Sequence, residues 1–178
     1  MHYDASFVID LSPGWPNVNE PVIRAFSPIR LLGKPSGDFF SIRIYPETGD
    51  PWFAELEIGT KGDEHSEICN SYAKDKCFIL AGGQVYLLNV LTRNVSSLDW
   101  YPITQLISDP YRRVTWLVGF WDITCVSSNG EFVWKSDRLA SDDLRVLEIQ
   151  EESFEYEGFS HGEIARCAGL LIEGRPAS

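Results

Sequence analysis

The sequence predicts a mainly β fold, α+β only at the margin, in which antiparallel hairpins form a sandwich or partial barrel. Three observations carry that expectation. Aromatic residues make up 13% of the 178 positions against a single Met, so the core must be built from rings and β-branched side chains, which suit a pleated surface. Apolar and polar residues alternate in short runs of strand length. Breaks rich in Gly, Asn or Pro separate those runs at hairpin spacing.

Along the chain, Pro13, Pro16, Pro21, Pro28 and Pro35 recur through the first 36 residues. Proline removes a backbone donor and excludes a long helix. Phe7-Val8-Ile9 and Val22-Ile23 are therefore expected as short edge strands of a segment that wraps the domain. From Asp38, DFFSIRIY places Phe40, Ile42 and Ile44 on one face, and WFAELEIG answers it after the turn cluster PETGDP, giving a first hairpin. In GDEHSEICNSYAKDK, residues His65, Ile68, Cys69 and Tyr72 fall at i, i+3, i+4 and i+7. Asp63 stands as N-cap and lysines close the far end, so one short helix is expected near 64–74.

CFILA, Gly82-Gly83 and QVYLLNVLT read as a second hairpin. Val114 to Val126 is apolar on both faces, as one covered strand with a bend or bulge at Gly119. Asn129-Gly130 predicts a third hairpin on a type I′ turn, with EFVWKS returning. LRVLEI and ESFEYEGF are short strands. In HGEIARCAGLLIEG, Ser160 and Glu163 match a helix capping box, yet Gly169 and Ile172 tip the balance to strand. The expected organisation is a single domain, 1–178, with a Pro-rich wrapping segment at 1–36 and a β-rich core at 37–178.

Trp116, Trp121 and Trp134 concentrate half of the six tryptophans in one stretch. Core packing is the expected role, since an uninterrupted strand would send Trp116 and Trp121 to opposite faces. The second and third hairpins also echo each other, with turn glycines Gly83 and Gly130 lying 47 residues apart. Strand–turn–strand units at spacings of about 40–50 residues are similar to β-propeller blades, and Trp121-Asp122 resembles the dipeptide of one propeller family. The likeness covers well under half of the chain, with one Trp-Asp copy, and no function is carried over from it.

Formal net charge is −11, which disfavours a nucleic-acid backbone or an anionic membrane as partner. No signal segment or membrane-length apolar run is seen, and the four scattered cysteines point to a reducing, cytoplasmic setting. From Asp137 to Glu163 nine acids face two arginines, a net −7 of the total −11. Charge runs commonly keep a surface solvated. The alternative is an acidic docking face for a basic protein partner, formed by Asp142, Asp143, Glu151, Glu152, Glu155 and Glu157, as in an immunity, inhibitor or adaptor protein.

A second function class is a ligand- or carbohydrate-binding β domain that stacks its ligand on exposed Trp15, Trp52 or Trp100. A third is a hydrolase using two of the clustered carboxylates, Asp142-Asp143 and Glu151-Glu152. His65, Cys69 and Cys77 are zinc-ligand types, but the paired spacing of a structural site and a fourth ligand are missing. His161 beside Ser160 lacks a nucleophile elbow. No phosphate loop, dinucleotide fingerprint or HExxH occurs. No metal, no cofactor and no catalytic residue is therefore assigned.

Overall fold

The computed structural model describes residues 7–11, 16, 20–26, 38–58, 66–100, 102–172 and 175–176. Among them every regular element is a strand, and no helix is long and apolar enough to cross a membrane. The chain divides into two compact units, Met1–Tyr101 and Pro102–Ser178.

In the first unit, β1 (Phe7–Asp10), β2 (Val22–Ala25), β3 (Phe39–Pro46) and β4 (Trp52–Glu57) form a sheet of order β1-β3-β4-β2. The expected hairpin is β3–β4, paired from Phe39↔Glu57 to Ile44↔Trp52. Both proline-flanked strands sit at its edges, β1 antiparallel to β3 and β2 parallel to β4. Edges suit them because proline cannot complete a ladder on both sides. The remainder of the wrapping segment lies largely outside the described residues.

The second sheet is a meander of β5 (Ser66–Asn70), β6 (Lys76–Ala81), β7 (Gln84–Asn89) and β8 (Asn94–Ser97). Its first strand corrects the expected helix. Ser66–Asn70 pairs with β6 from Ser66↔Ala81 to Asn70↔Cys77. Ser71 then accepts from the Ala73 N–H at 3.1 Å, turning the chain back where a helix would have run on. A three-turn helix is marginal alone, whereas β6 offers a full ladder and lays Ile68 against the core. Asp63, Glu64 and His65 lie outside the described residues. The β6–β7 turn is the expected two-glycine one, with φ of 53° at Gly82 and 86° at Gly83. That pair of positive angles defines type I′. One core joins the two sheets, from Ile42, Ile44, Trp52 and Leu56 on one side to Ile79, Tyr86 and Leu88 on the other.

In the second unit, β9 (Ile103–Asp109), β10 (Val114–Gly119), β11 (Ile123–Val126) and β12 (Phe132–Lys135) form one meander. β13 (Asp142–Ile149), β14 (Ser153–Ser160), β15 (Glu163–Ile172) and β16 (Arg175–Pro176) form the other. Val114 to Val126 is therefore two strands, not one. The Gly119 N–H donates to the Asp122 carbonyl at 2.8 Å, closing a tight reversal that an apolar run conceals. A bulge does fall beside Gly119.

The Asn129-Gly130 hairpin forms, but only Gly130 has positive φ, 80°. The loop is the longer Ser127–Glu131, whose Ser127 hydroxyl accepts from the N–H groups of Asn129 and Glu131 at 3.2 Å each. Type I′ geometry appears instead at His161-Gly162, with φ of 52° and 92°. Ser160 and Glu163 are cross-strand partners there, so they cap no helix, and the C-terminal segment is strand as expected.

The last three sheets begin at Ser66, Ile103 and Asp142, 37 and 39 residues apart. Gly83 turns the second strand of its sheet into the third, whereas Gly130 turns a third into a fourth. The spacing of those two glycines is thus not the period of the architecture. The second core holds Trp116, Trp134 and Phe154, with Trp116 edge-on to both other rings at centroid distances of 5.3 Å. Core is the role of two of the three clustered tryptophans. Trp121, in the β10–β11 turn, is exposed under the Arg138 guanidinium, 5.6 Å from its ring centroid.

Candidate interaction surface

The strongest surface feature is the β13–β14–β15 sheet, and strand alternation builds it. On β14, Phe154 and Tyr156 point inward, Phe154 fully buried, while Ser153, Glu155, Glu157 and Phe159 point outward. β15 repeats the pattern in register, setting Ile164, Arg166, Ala168 and Leu170 opposite those four outward residues. β13 complicates it. Arg145 faces Glu157 and Val146 faces Tyr156, but the next opposed pair is Glu148↔Glu155, so Leu147 is an extra residue. Without that bulge Glu148 would share the inward face of Val146. With it, Glu148 comes out onto the acidic side.

The outer face therefore holds Glu148, Glu155 and Glu157 with two arginines, Arg166, which pairs with Glu155, and Arg145, which lies opposite Glu157. The Glu155 hydrogen bond and charge raise the Arg166 pKa above the ordinary arginine value, and the charges of Glu157 and Glu148 add to it against a desolvation cost. Over residues 142–166 eight carboxylates stand against Arg145 and Arg166. The face also exposes Phe159 (40%), Ile164 (76%) and Leu170 (64%).

The ends of the hairpin are anchored. Asp109, fully buried, accepts from the N–H groups of Tyr111 and Arg112 at 3.0 and 3.2 Å and from the Arg112 side chain at 3.0 Å. Arg112 in turn donates to the Glu151 carbonyl, and the Leu171 N–H reaches the Glu152 carbonyl at 2.8 Å. Glu151 and Glu152 are thus displayed, exposed, on a fixed turn. Asp142 and Asp143 open β13 at the far end, where Asp143 has φ 51° and its N–H donates to the Asp142 carboxylate at 3.0 Å.

Of the six expected acids, Glu155 and Glu157 share the outer face, while the two pairs mark opposite ends of β13. At a rise of about 3.3 Å per residue those ends stand roughly 25 Å apart. Glycosidase-type carboxylates work within about 5–9.5 Å of each other, so the two pairs do not form one hydrolytic centre. Glu148 and Arg166 are site residues that alternation alone misses. A bulge carries no clear sequence mark, and Arg166 joins the group only through β15 pairing.

The aromatic alternative fares differently at each position. Trp52 is 0% exposed, correcting its expected exposure: it fills the first core from the inward face of β4. Trp100 is half-buried, and Trp15 lies outside the described residues. For a metal, Cys69 and Cys77 are buried and His65 is outside the described residues. Burial raises the Cys77 thiol well above its ordinary pKa, the neighbouring Cys69 adding to the effect, and burial pushes Cys125 up to about 12, with Asp109 adding to it. Thiols held protonated are poor ligands. Among the described residues no group of three or more His, Cys, Asp or Glu is placed to hold a metal ion.

No family matches the sequence, and no curated protein does. Two solved structures are similar in part. One, described as the crystal structure of the eukaryotic initiation factor, has a TM-score of 0.44 and 15% identity over 78% of this chain and 39% of its own. The other, the AfRom2 CNH domain, has a TM-score of 0.40 and 9% identity over 78% of this chain and 59% of its own. The chain thus spans less than two thirds of each.

Proposed function

We propose that the protein is a small cytoplasmic interaction module that docks a basic protein partner on the outer face of the β13–β14–β15 sheet. One observation carries the reading: Glu148 lies directly opposite Glu155 on a face that also exposes Ile164, Phe159 and Leu170. Like charges opposed across strands cost stability, and exposed apolar side chains add nothing to solubility. A surface that only solvates the chain has use for neither. Together they suit a partner that brings lysine or arginine to the carboxylates and apolar surface to the flanks. The four cysteines, none in a disulfide, accord with a reducing compartment.

The test is capture from a lysate of the native host on the wild-type chain and on a variant with Glu151, Glu152, Glu155 and Glu157 changed to Lys, whose circular dichroism must match the wild type. The reading expects a protein held by the wild type at low salt, released as the Debye length shrinks below about 8 Å, and absent from the variant. Equal recovery by both baits would reduce the acidic hairpin to a solvated surface.

A further inference from the structure

Next to the bulge that brings Glu148 out, β13 is held by the neighbouring sheet. The strand β13 turns one edge to β14 and the other away from it. On that second edge the Leu144 N–H donates to the Phe120 carbonyl at 2.9 Å. Two residues on, both backbone groups of Val146 are taken by one side chain, that of Gln105 on β9. The Val146 N–H donates to Gln105 Oε1 at 3.1 Å, and Gln105 Nε2 donates to the Val146 carbonyl at 3.1 Å. The amide makes the pair of bonds that a residue of an adjoining strand would make. Gln105 is itself aimed by a bulge: Val118 faces Gln105 but Gly119 faces Ile103, leaving Thr104 as the extra residue. The Thr104 hydroxyl holds that distortion by donating to the Val118 carbonyl at 3.1 Å.

We infer that Gln105 is the positioning residue of the docking face: by clamping Val146 it fixes where β13 departs from regular pairing, so that Leu147 bulges and Glu148 emerges opposite Glu155. The inference rests on the proposed docking reading for its purpose, but its geometry stands apart from any partner. Only a side chain with both a donor and an acceptor at its tip can do this. A carboxylate has no donor, whereas a protonated carboxyl has both.

Gln105→Glu therefore turns the clamp into a pH-dependent one. The introduced carboxyl, with an ordinary pKa near 4.3, faces the Val146 carbonyl and partial burial, which raise its pKa, against the Val146 N–H, which favours the charged form. Nuclear Overhauser contacts between the backbones of Glu148 and Glu155 are the readout, measured in wild type, Gln105→Glu and Gln105→Met. Wild type should keep them from pH 5 to 7.5, Gln105→Glu should lose them at pH 7.5 and regain them near pH 5, and Gln105→Met should lack them throughout. Contacts that persist in both variants at pH 7.5, or a Gln105→Glu protein that shows no recovery on acidification, would overturn the inference. Because no partner enters the measurement, failure of the docking reading leaves its result unchanged.

Discussion

Trp116→Ala is expected to destabilise the protein by about 3–5 kcal/mol, the range for deleting a large buried aromatic side chain. Trp116 is 0% exposed and stands edge-on to both Trp134 and Phe154 at 5.3 Å, so its removal opens a cavity between two rings that cannot collapse toward each other. The indole N–H has no hydrogen-bond partner among the described residues. Trp116→Phe should therefore lose volume and contact but no hydrogen bond, and should cost clearly less than the alanine variant. Urea denaturation followed by circular dichroism measures both. Equal costs, or a cost below about 1 kcal/mol for alanine, would mean that Trp116 does not organise the second core.

The next largest effect concerns a glycine. Gly169 is the cross-strand partner of Phe154, whose ring lies over the position a Cβ would take. An added methyl meets the Cε1 and Cζ atoms of a ring already stacked on Tyr156 at 5.4 Å and packed against Trp116. The ring cannot swing aside cheaply, so Gly169→Ala should cost about 1–3 kcal/mol, as overpacked cores do. The diagnostic is non-additivity. In a Phe154→Leu background the same glycine change should cost much less, because the shorter side chain leaves room for the methyl. An unchanged cost in both backgrounds would place the strain in the backbone of β15.

These packing relations show where the fold was legible. The β class, the β3–β4 and β6–β7 hairpins, the bulge beside Gly119 and the C-terminal strand all follow from alternation and glycine placement, which report strand faces directly. The helix near 64–74 failed because a i, i+3, i+4, i+7 stripe over so few residues also fits a strand that another strand completes. Turn chemistry misled in one place and was missed in another. Asn129-Gly130 carries the stronger type I′ signature, yet the Ser127 hydroxyl holds a longer loop, while the less suggestive His161-Gly162 adopts the two-residue turn. Val114 to Val126 hid its reversal because burial on both faces removes the alternation that would mark two strands.

The proposed docking face was half legible. Glu155 and Glu157 alternate with Phe154 and Tyr156 and can be assigned to one face from sequence. Glu148 cannot, since its parity matches Val146 and only the extra residue at Leu147 turns it outward. The side chain inferred to set that bulge, Gln105, lies 41 positions away from Val146 in sequence. Trp52 was misplaced for a related reason: in WFAELEIG either Trp52 or Phe53 can begin the inward face, and pairing with Ile44 commits Trp52 to the core.

If a basic partner seats on the β13–β14–β15 face, zero-length carbodiimide coupling will record the contact. The reagent joins a carboxylate to an amine already in contact with it, so proteins retained by the wild-type chain at low salt can be coupled and the linked peptides mapped by mass spectrometry. Links are expected from partner lysines to Glu148, Glu151, Glu152, Glu155 or Glu157. Links that map outside residues 142–166, or coupling undiminished by high salt, would contradict it.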